Sequence, residues 1–433
     1  MSSLYNIPKS WKWATLKEIT DTTSGGTPKR TNKDYWNGSI NWLKSGELND
    51  GYINAVQETI TEEGLKKSSA KVFEAGTLLM AMYGATVGRL GILKVDTSTN
   101  QAVCAIFNRF NLFNNEYVFF YLKYTRQQML EDSFGGAQPN LSQGYINNIK
   151  IPFAPLNEQT RIVTKIKKLF SNLDNSDKYL DHLEKQLKRY RESILKSTFE
   201  NETAENWLTL ESIFDIERGG SPRPIKSFLT DADNGINWIK IGDTKVGQKY
   251  IETTKEKIIP EGLKKSRLVV EGDFILSNSM SFGRPYIMKT KGAIHDGWLV
   301  FREKMEDINK DYFYYLLSSA YMYQKFSDKA SGSTVKNLNK ELVKKIKVPL
   351  PTTTEQKKIV DEIEKHFSII DKLESVVSKS MSESKRLRQS ILKQAFEGKL
   401  LEQDSNDESA EILLEKIVKA KEEYKKALKR NKK

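Results

Sequence analysis

LNEQTRIVTKIKKLFSNLDNSDKYLDHLEKQLKRYRESILKSTFE occupies residues 156–200, and its apolar residues step by four and three. Ile162, Ile166, Leu169, Leu173, Leu180, Leu183, Leu187 and Ile194 keep that spacing, with Ser176 and Tyr190 at the two remaining positions. A seam held over more than four heptads predicts a coiled-coil helix rather than an ordinary amphipathic one. The helix starts after the strand-like IKIPFAPL at 149–156, whose prolines end a sheet, and Glu158 puts an acid in the first turn.

The same register recurs near the C-terminus, after IKVPLPTT at 346–353 and with Glu355 in the first turn. Ile359, Ile363, Ile370, Leu373, Val377, Leu387 and Ile391 are apolar there, while His366, Ser380 and Ser384 interrupt the seam. So broken a seam suits an apolar partner better than a copy of itself. Pairing the two helices antiparallel with Ile162 beside Ile391 places His366 near Leu187, Ser380 near Leu173 and Ser176 near Val377. No polar seam residue then meets another; the alternative is two separate helices, each lying on its own domain. From Ile162 to Ile194 the helix would measure about 50 Å at 1.5 Å per residue. Two domains held that far apart along a duplex would stand about one to one and a half turns apart, at ~34 Å per turn. Four residues inserted at 176–180 and in the partner helix should lengthen the preferred spacer or abolish binding.

The two helices belong to a larger repeat. EGLKKS stands at 63–68 and again at 261–266, and further matches appear in the same order on either side. WKWATLKEI (11–19) answers NWLTLESIF (206–214), SGGTPKR (24–30) answers RGGSPRP (218–224), and INWLKSGEL (40–48) answers INWIKIGDT (236–244). SILKSTFE (193–200) answers SILKQAFE (390–397). A period of about 197 residues is far longer than a solenoid repeat and is the size of a domain with an appendage. Residues 1–155 and 201–351 read as two mixed α and β domains, because short β-branched and aromatic runs alternate with Gly, Asn and Asp turns before one helical stretch. Residues 156–200 and 352–400 read as the helices, and 401–433 as an extension ending in a basic amphipathic helix. The fold class is α+β: two homologous domains separated by an antiparallel helical pair.

Lys and Arg number 69 against 56 Asp and Glu, a net +13, which in a folded chain favours a polyanionic partner or a well-solvated basic surface. Cys104, the one cysteine, lies in the apolar run AVCAIF and reads as a small buried hydrophobe. No apolar run is long enough to span a bilayer, and MSSLYNIPKS has no signal-peptide core, so no membrane role and a cytoplasmic address are expected. The chain has no phosphate loop, nucleophile elbow, HExxH, CxxC pair or Asn-Pro-Pro stretch. His182, His295 and His366 read as structural or surface residues. Binding and scaffolding fit better than catalysis, and no metal or cofactor site is expected in this chain.

Loop-like segments in both domains combine glycine, hydroxyl and basic residues, the set that lets a backbone approach phosphate, bond its oxygens and neutralise it. In the first domain these are Gly25, Gly26, Thr27, Lys29, Arg30, Lys44, Lys66, Lys67, Tyr83, Thr86 and Arg89, with Gln138, Asn140 and Gln143 as amide readers. In the second they are Arg218, Gly219, Gly220, Ser221, Arg223, Lys240, Lys264, Lys265, Arg267, Asn278, Ser281, Arg284, Lys336 and Asn337. Base reading needs a fork or amide donor, for which Arg89, Arg284, Asn278, Gln138, Asn140, Gln143 and Asn337 are the carriers. A glycine pair can equally be a tight turn, and a lone lysine a solvated charge. The paired recurrence favours DNA contact.

The opening WKWATLKEI, the turn SGGTPKR with INWLKSGEL, and above all PLNEQTRIVTKIKKLFSNLD (155–174) with PTTTEQKKIVDEIEKHFSIID (351–371) make the chain resemble the specificity subunit of type I restriction-modification systems. SILKQAFEGKLLEQDSNDESAEILLEKI (390–417) is similar to the family's ending. The resemblance implies two target recognition domains, each reading one half of a split sequence in double-stranded DNA. It implies helices that dock two modification subunits, which carry the S-adenosylmethionine chemistry, and restriction subunits that use ATP and Mg. The alternative is a coiled-coil interaction scaffold that never meets DNA. An identical EGLKKS in two domains built to read different half-sites marks the shared frame, so discrimination is expected where the copies differ, as in MAMYGATVGR against LSNSMSFGR.

Overall fold

The computed structural model describes residues 5–133, 140–200, 205–245, 247–278, 282–306, 308–331 and 337–430. The chain divides into two compact units, 1–178 with 380–433 and 179–379, so each unit takes a part of both long helices. The first unit carries a five-stranded sheet in the order Asp21–Ser24, Val103–Phe107, Leu78–Ala81, Leu90–Leu93, Gly51–Ile53, and a four-stranded one in the order Glu58–Ile60, Trp36–Leu43, Thr97–Thr99, Val72–Phe73. The second unit repeats the first sheet as Phe214–Arg218, Trp298–Glu303, Phe274–Ser277, Pro285–Met288, Tyr250–Ile251. Its other sheet, Leu229–Thr230, Glu256–Ile258, Ile236–Ile239, Gly292–Ile294, Arg267–Val269, keeps the order and adds one edge strand.

Uninterrupted apolar runs such as TLLMAM and AVCAIF become strands buried on both faces. Leu78, Met80, Cys104 and Ile106 point into one core of the first unit, and Leu79, Ala81, Val103 and Ala105 into another. Cys104 is fully buried, and burial pushes its thiol up to about 12, which keeps it protonated and inert.

The Asn-Glu-Gln and Thr-Glu-Gln stretches join each domain to its helix through the glutamine. The buried Gln159 amide donates to Ala154 O at 2.8 Å and accepts the Asn114 N–H at 2.9 Å. Gln356 does the same with Pro351 O and the Asn309 N–H, at 2.9 and 2.8 Å. Asn114 and Asn309 in turn cap the helices Asn115–Tyr124 and Lys310–Ser318. Each of these helices then sends a tyrosine hydroxyl back to the closing strand, Tyr117 to Pro152 O and Tyr312 to Pro349 O.

The long helices Leu156–Glu200 and Thr353–Phe396 run antiparallel in both units. In the first, the Arg388 guanidinium lies 5.3 Å from the Phe170 ring centroid and bonds Asp174 at 2.7 Å and Asp177 at 2.9 Å. In the second, Arg191 lies 4.5 Å from Phe367 and bonds Asp371 at 2.5 Å and Glu374 at 3.3 Å. All four positions recur at one offset of 197, with Glu374 standing where the first clamp has Asp177, so the clamp is part of the duplication. The clamps also correct the expected register. His366 shares a groove with Tyr190, Ser193 and Ile194, about one turn from Leu187.

Ile162, Ile166, Leu187, Ile363, Ile370 and Val377 are buried in the seam; Leu169, Leu173, Leu180, Leu183, Ile194, Ile359 and Ile391 are half-buried. Leu373 and Leu387 are corrections: they stand 43% and 51% exposed, because two helices cover only a narrow stripe of each other. Ser384, read as an interruption, is buried. Replacing Arg388 or Arg191 by alanine is expected to cost about 1 kcal/mol each, since their acids are partly solvated. Thermal unfolding of each variant checks this.

The extension after residue 400 folds into the first unit. Ala410, Leu413 and Ile417 of the helix Ala410–Arg430 enter its core, and the Lys421 ammonium donates to Lys17 O and Thr20 O, each at 2.8 Å. Arg161 pairs with Asp407, and the Glu158 carboxylate accepts from Trp11 Nε1 at 2.8 Å and Gln403 Nε2 at 2.6 Å. Burial raises the Glu158 carboxyl. Its repeat counterpart Glu355 is exposed and held low by the Thr352 hydroxyl and N–H.

Candidate nucleic-acid interface

The glycine pairs sit where backbone meets backbone. A Cβ on Gly25 would lie 2.2 Å from Thr99 O, and one on Gly26 2.4 Å from the Ser69 carbonyl carbon. The same crowding meets Gly219 at His295 O, 2.2 Å away, and Gly220 at Lys265 O, 2.5 Å away. Both pairs therefore let the turn close onto neighbouring backbone. The hydroxyl residue that follows fixes the turn: Thr27 bonds Gln101, and Ser221 Oγ donates to Asp296 Oδ1 at 2.6 Å. That bond, more than the nearby charges, holds the Asp296 carboxyl below its usual range.

Several predicted cations are already neutralised inside the fold. Lys44 and Arg30 both pair with Glu58 at 2.5 Å, and Arg30 lies 3.8 Å from the Trp36 ring centroid and 4.7 Å from that of Trp42. The Lys44 ammonium first, then Arg30, keeps Glu58 ionised. Lys240 repeats this with Glu256 at 2.6 Å. Arg267 meets Glu217 at 3.4 Å, Arg218 Nε donates to Asp296 O at 3.0 Å, and Arg223 reaches toward Asp296 at 3.7 Å while 79% exposed. The amide readers are also partly spent. Gln143 Nε2 donates to Thr22 O at 2.8 Å, and the buried Asn278 donates to Asp296 O at 3.2 Å.

What remains outward-facing is a smaller set. Lys29, Lys66, Lys67, Lys264 and Lys265 are exposed, Lys265 lying 5.6 Å from the Phe228 ring centroid. EGLKKS itself folds two ways: within the α-helix Glu62–Lys66, where the Thr61 hydroxyl accepts from Gly64 N–H, and within the 3-10 helix Pro260–Lys265, which lacks a capping hydroxyl. Tyr83 forms a β-bridge with exposed Asn140, and half-buried Thr86 accepts the Arg89 N–H through its carbonyl at 2.9 Å. The side chains of Arg89 and Arg284 are exposed at equivalent hairpin ends, and neither makes a hydrogen bond or ion pair among the described residues. Gln138, Ser281 and Lys336 lie outside the described residues; Asn337 lies in the strand Asn337–Leu338. Glu58, Glu256, Gln101 and Asp296 were missed as partners, although ETI and EKI recur at one offset in the sequence and could have pointed to the first two.

His295 occupies the turn beside this surface in the second unit. Its Nδ1 accepts the Gly297 N–H at 2.6 Å, and Nε2 faces the Ile241 N–H at 3.2 Å. Burial, with Lys240 assisting and Asp296 and Asp243 opposing, holds the imidazolium below its ordinary value of 6.5; protonation would also aim N–H donors at backbone donors. The unfolded chain then takes up the proton first as pH falls. The second unit is expected to keep its full stability above pH about 6.5 and to lose part of it below. His295→Asn, which copies Asn100 at the same place in the first unit, should remove that loss in pH-dependent hydrogen exchange.

Residues 8–185 and 205–378 match the family profile described as the type I restriction modification DNA specificity domain, once in each half of the repeat. The chain belongs to this family. It is 30% identical over 184 residues to the MjaIX specificity subunit of Methanocaldococcus jannaschii, a match spanning 41% of this chain and 42% of that protein. To the MjaVIII specificity subunit of the same organism it is 24% identical, over 91% of this chain and 94% of the relative. To the EcoKI specificity subunit of Escherichia coli K12 it is 22% identical, over 95% of each chain. The fold is similar to a chain of a solved type I R-M system (TM-score 0.73, 21% identity, 92% of this chain and 100% of that one). It is also similar to the HsdS subunit of Thermoanaerobacter tengcongensis (TM-score 0.57, 20% identity, 92% and 99%). Two specificity domains in one chain, on one shared frame, account for the internal repeat.

Proposed function

We propose that this chain is the sequence-reading, non-catalytic subunit of a type I restriction-modification complex, with each recognition domain reading one half of a bipartite duplex. The observation that carries the reading is the pair of equivalent hairpin ends. One frame presents Arg89 and Arg284 outward and, among the described residues, unpaired, amid sequences that differ, YGATVGR against NSMSFGR. A fork donor without an internal partner is what major-groove reading requires, and a shared frame with different tips can read two half-sites.

The long helices support a docking role. Ile369, Leu373 and Val376 stand 52%, 43% and 61% exposed on the second helix, and Tyr179 and Tyr190 67% and 52% exposed on the first. Apolar groups so exposed suit partner helices, here two modification subunits that hold S-adenosylmethionine; restriction subunits would supply the ATP and Mg chemistry. Among the described residues no helix is long and apolar enough to cross a membrane; a cytoplasmic address is part of this reading. Mapping adenine methylation in cells carrying the system tests the whole reading. A bipartite motif with an unread spacer is expected, and methylation at undivided sites, or none that depends on this chain, sinks it.

A further inference from the structure

In the second unit a cleft of about 850 Å3 opens between the recognition domain and the long-helix segments beside it. Some of its cations are committed. Lys249 meets Asp311 at 2.7 Å and lies over the Tyr314 and Tyr315 rings, and Arg191 belongs to its clamp. Three others are not. Lys188 and Lys372 on the long helices and Arg284 on the hairpin are exposed, and none makes a hydrogen bond or ion pair through its side chain among the described residues. Tyr323 adds a ring that is 49% exposed, stacked on Phe282 at 5.3 Å and 16°.

The first unit treats the corresponding corner differently. There Arg126 forks onto Asp50, Nη1 to Oδ2 at 2.7 Å and Nη2 to Oδ1 at 2.5 Å, while its Nε donates to Gly88 O at 2.9 Å. Gly88 and Gly283 occupy the same turn, with φ of 76° and 78°. In the second unit Tyr323 and Phe326 cover that glycine, so no charge is spent on closing the corner. The lining holds five cations against the acids Glu192, Glu364 and Asp371, and three unneutralised cations beside an exposed ring select a ligand carrying phosphates and a flat face. The volume lies within the range of ligand sites and is too small for a whole duplex, so what enters is one strand.

We infer that this cleft is a second, sequence-independent DNA contact beside the base-reading Arg284: Lys188 and Lys372 hold the sugar–phosphate backbone of one strand, and Tyr323 packs against a sugar or base. The inference rests on the DNA-reading role proposed above and adds a backbone site reaching onto the long helices. The test uses the full chain assembled with its modification subunits, with duplex affinity measured from about 50 to 200 mM salt. Lys188→Ala with Lys372→Ala is expected to lower the slope of log affinity against log salt by about two, leaving preference for the target over scrambled duplex unchanged. Lys185→Ala, an exposed lysine on the same helix outside the cleft, is expected to leave the slope unchanged. Should the double alanine variant fail to fold, Lys188→Gln with Lys372→Gln carries the same test. An unchanged slope with target binding intact, or an equal fall from Lys185→Ala, overturns the backbone site and leaves the recognition role standing. Loss of salt-dependent DNA binding by the unaltered complex would instead defeat the recognition role.

Discussion

Phe396→Ala is expected to destabilise the first unit by about 3–5 kcal/mol, although residue 396 ends the helix that follows the second recognition domain. The ring is fully buried, with Tyr121, Tyr117 and Tyr124 at centroid distances of 5.0, 5.3 and 5.9 Å, and Leu392 and Ala395 enter the same core. Truncation leaves a cavity lined by rings whose hydroxyls are already fixed, Tyr117 to Pro152 O and Tyr121 to Lys150 O, so the site cannot collapse cheaply. The mirror residue is Phe199, at the end of the first long helix, buried 5.6 Å from Tyr312 in the second unit. Phe199→Ala is therefore expected to weaken the second unit by a similar amount. Hydrogen exchange distinguishes the two: each variant should lose protection mainly in the unit that receives the ring, not in the domain that precedes it in sequence. Loss confined to the preceding domain would contradict the exchange of helix ends.

Arg89→Ala is expected to cost about 1–3 kcal/mol of specific DNA affinity, a factor of roughly 5 to 150, and to relax the motif at one position of one half-site. Arg284→Ala should do the same at the other half-site. Neither change should alter folding, since neither side chain has a partner among the described residues. Lys44→Ala and Lys240→Ala provide the contrast. Their ammonium groups face Glu58 and Glu256, so their loss should act on the local turn more than on base preference. Methylation mapping with the four variants reads position and half-site directly. A uniform loss across all sites from Arg89→Ala would reassign it to phosphate.

The helices, the duplication and the domain pattern were legible because each is written in local periodicity. A seam spaced by fours and threes, or a strand buried on both faces, is a property of neighbouring residues. The antiparallel sense was legible too, from the mismatch between a full seam and an interrupted one. Its register was not, since Arg388 and Arg191 choose it by stacking on Phe170 and Phe367 and bonding acids on the opposite helix. Seam arithmetic ignores such flanking groups.

The candidate interface was legible as a region and not as a set of atoms. Sequence placed the right loops in the right halves, but could not separate Lys44, held by Glu58, from Lys66, left to solvent. Nor could it give two conformations to EGLKKS, whose first copy is capped by Thr61 and whose second follows Pro260. By itself the sequence determined that there are two recognition domains on one frame, joined by paired helices. Only the tertiary structure decided which cations stay free, where the C-terminal helix docks and which helix end completes which domain. Those outcomes depend on partners a hundred or more residues away or across a strand pair, and charge, burial and ring contacts become definite only when such partners meet.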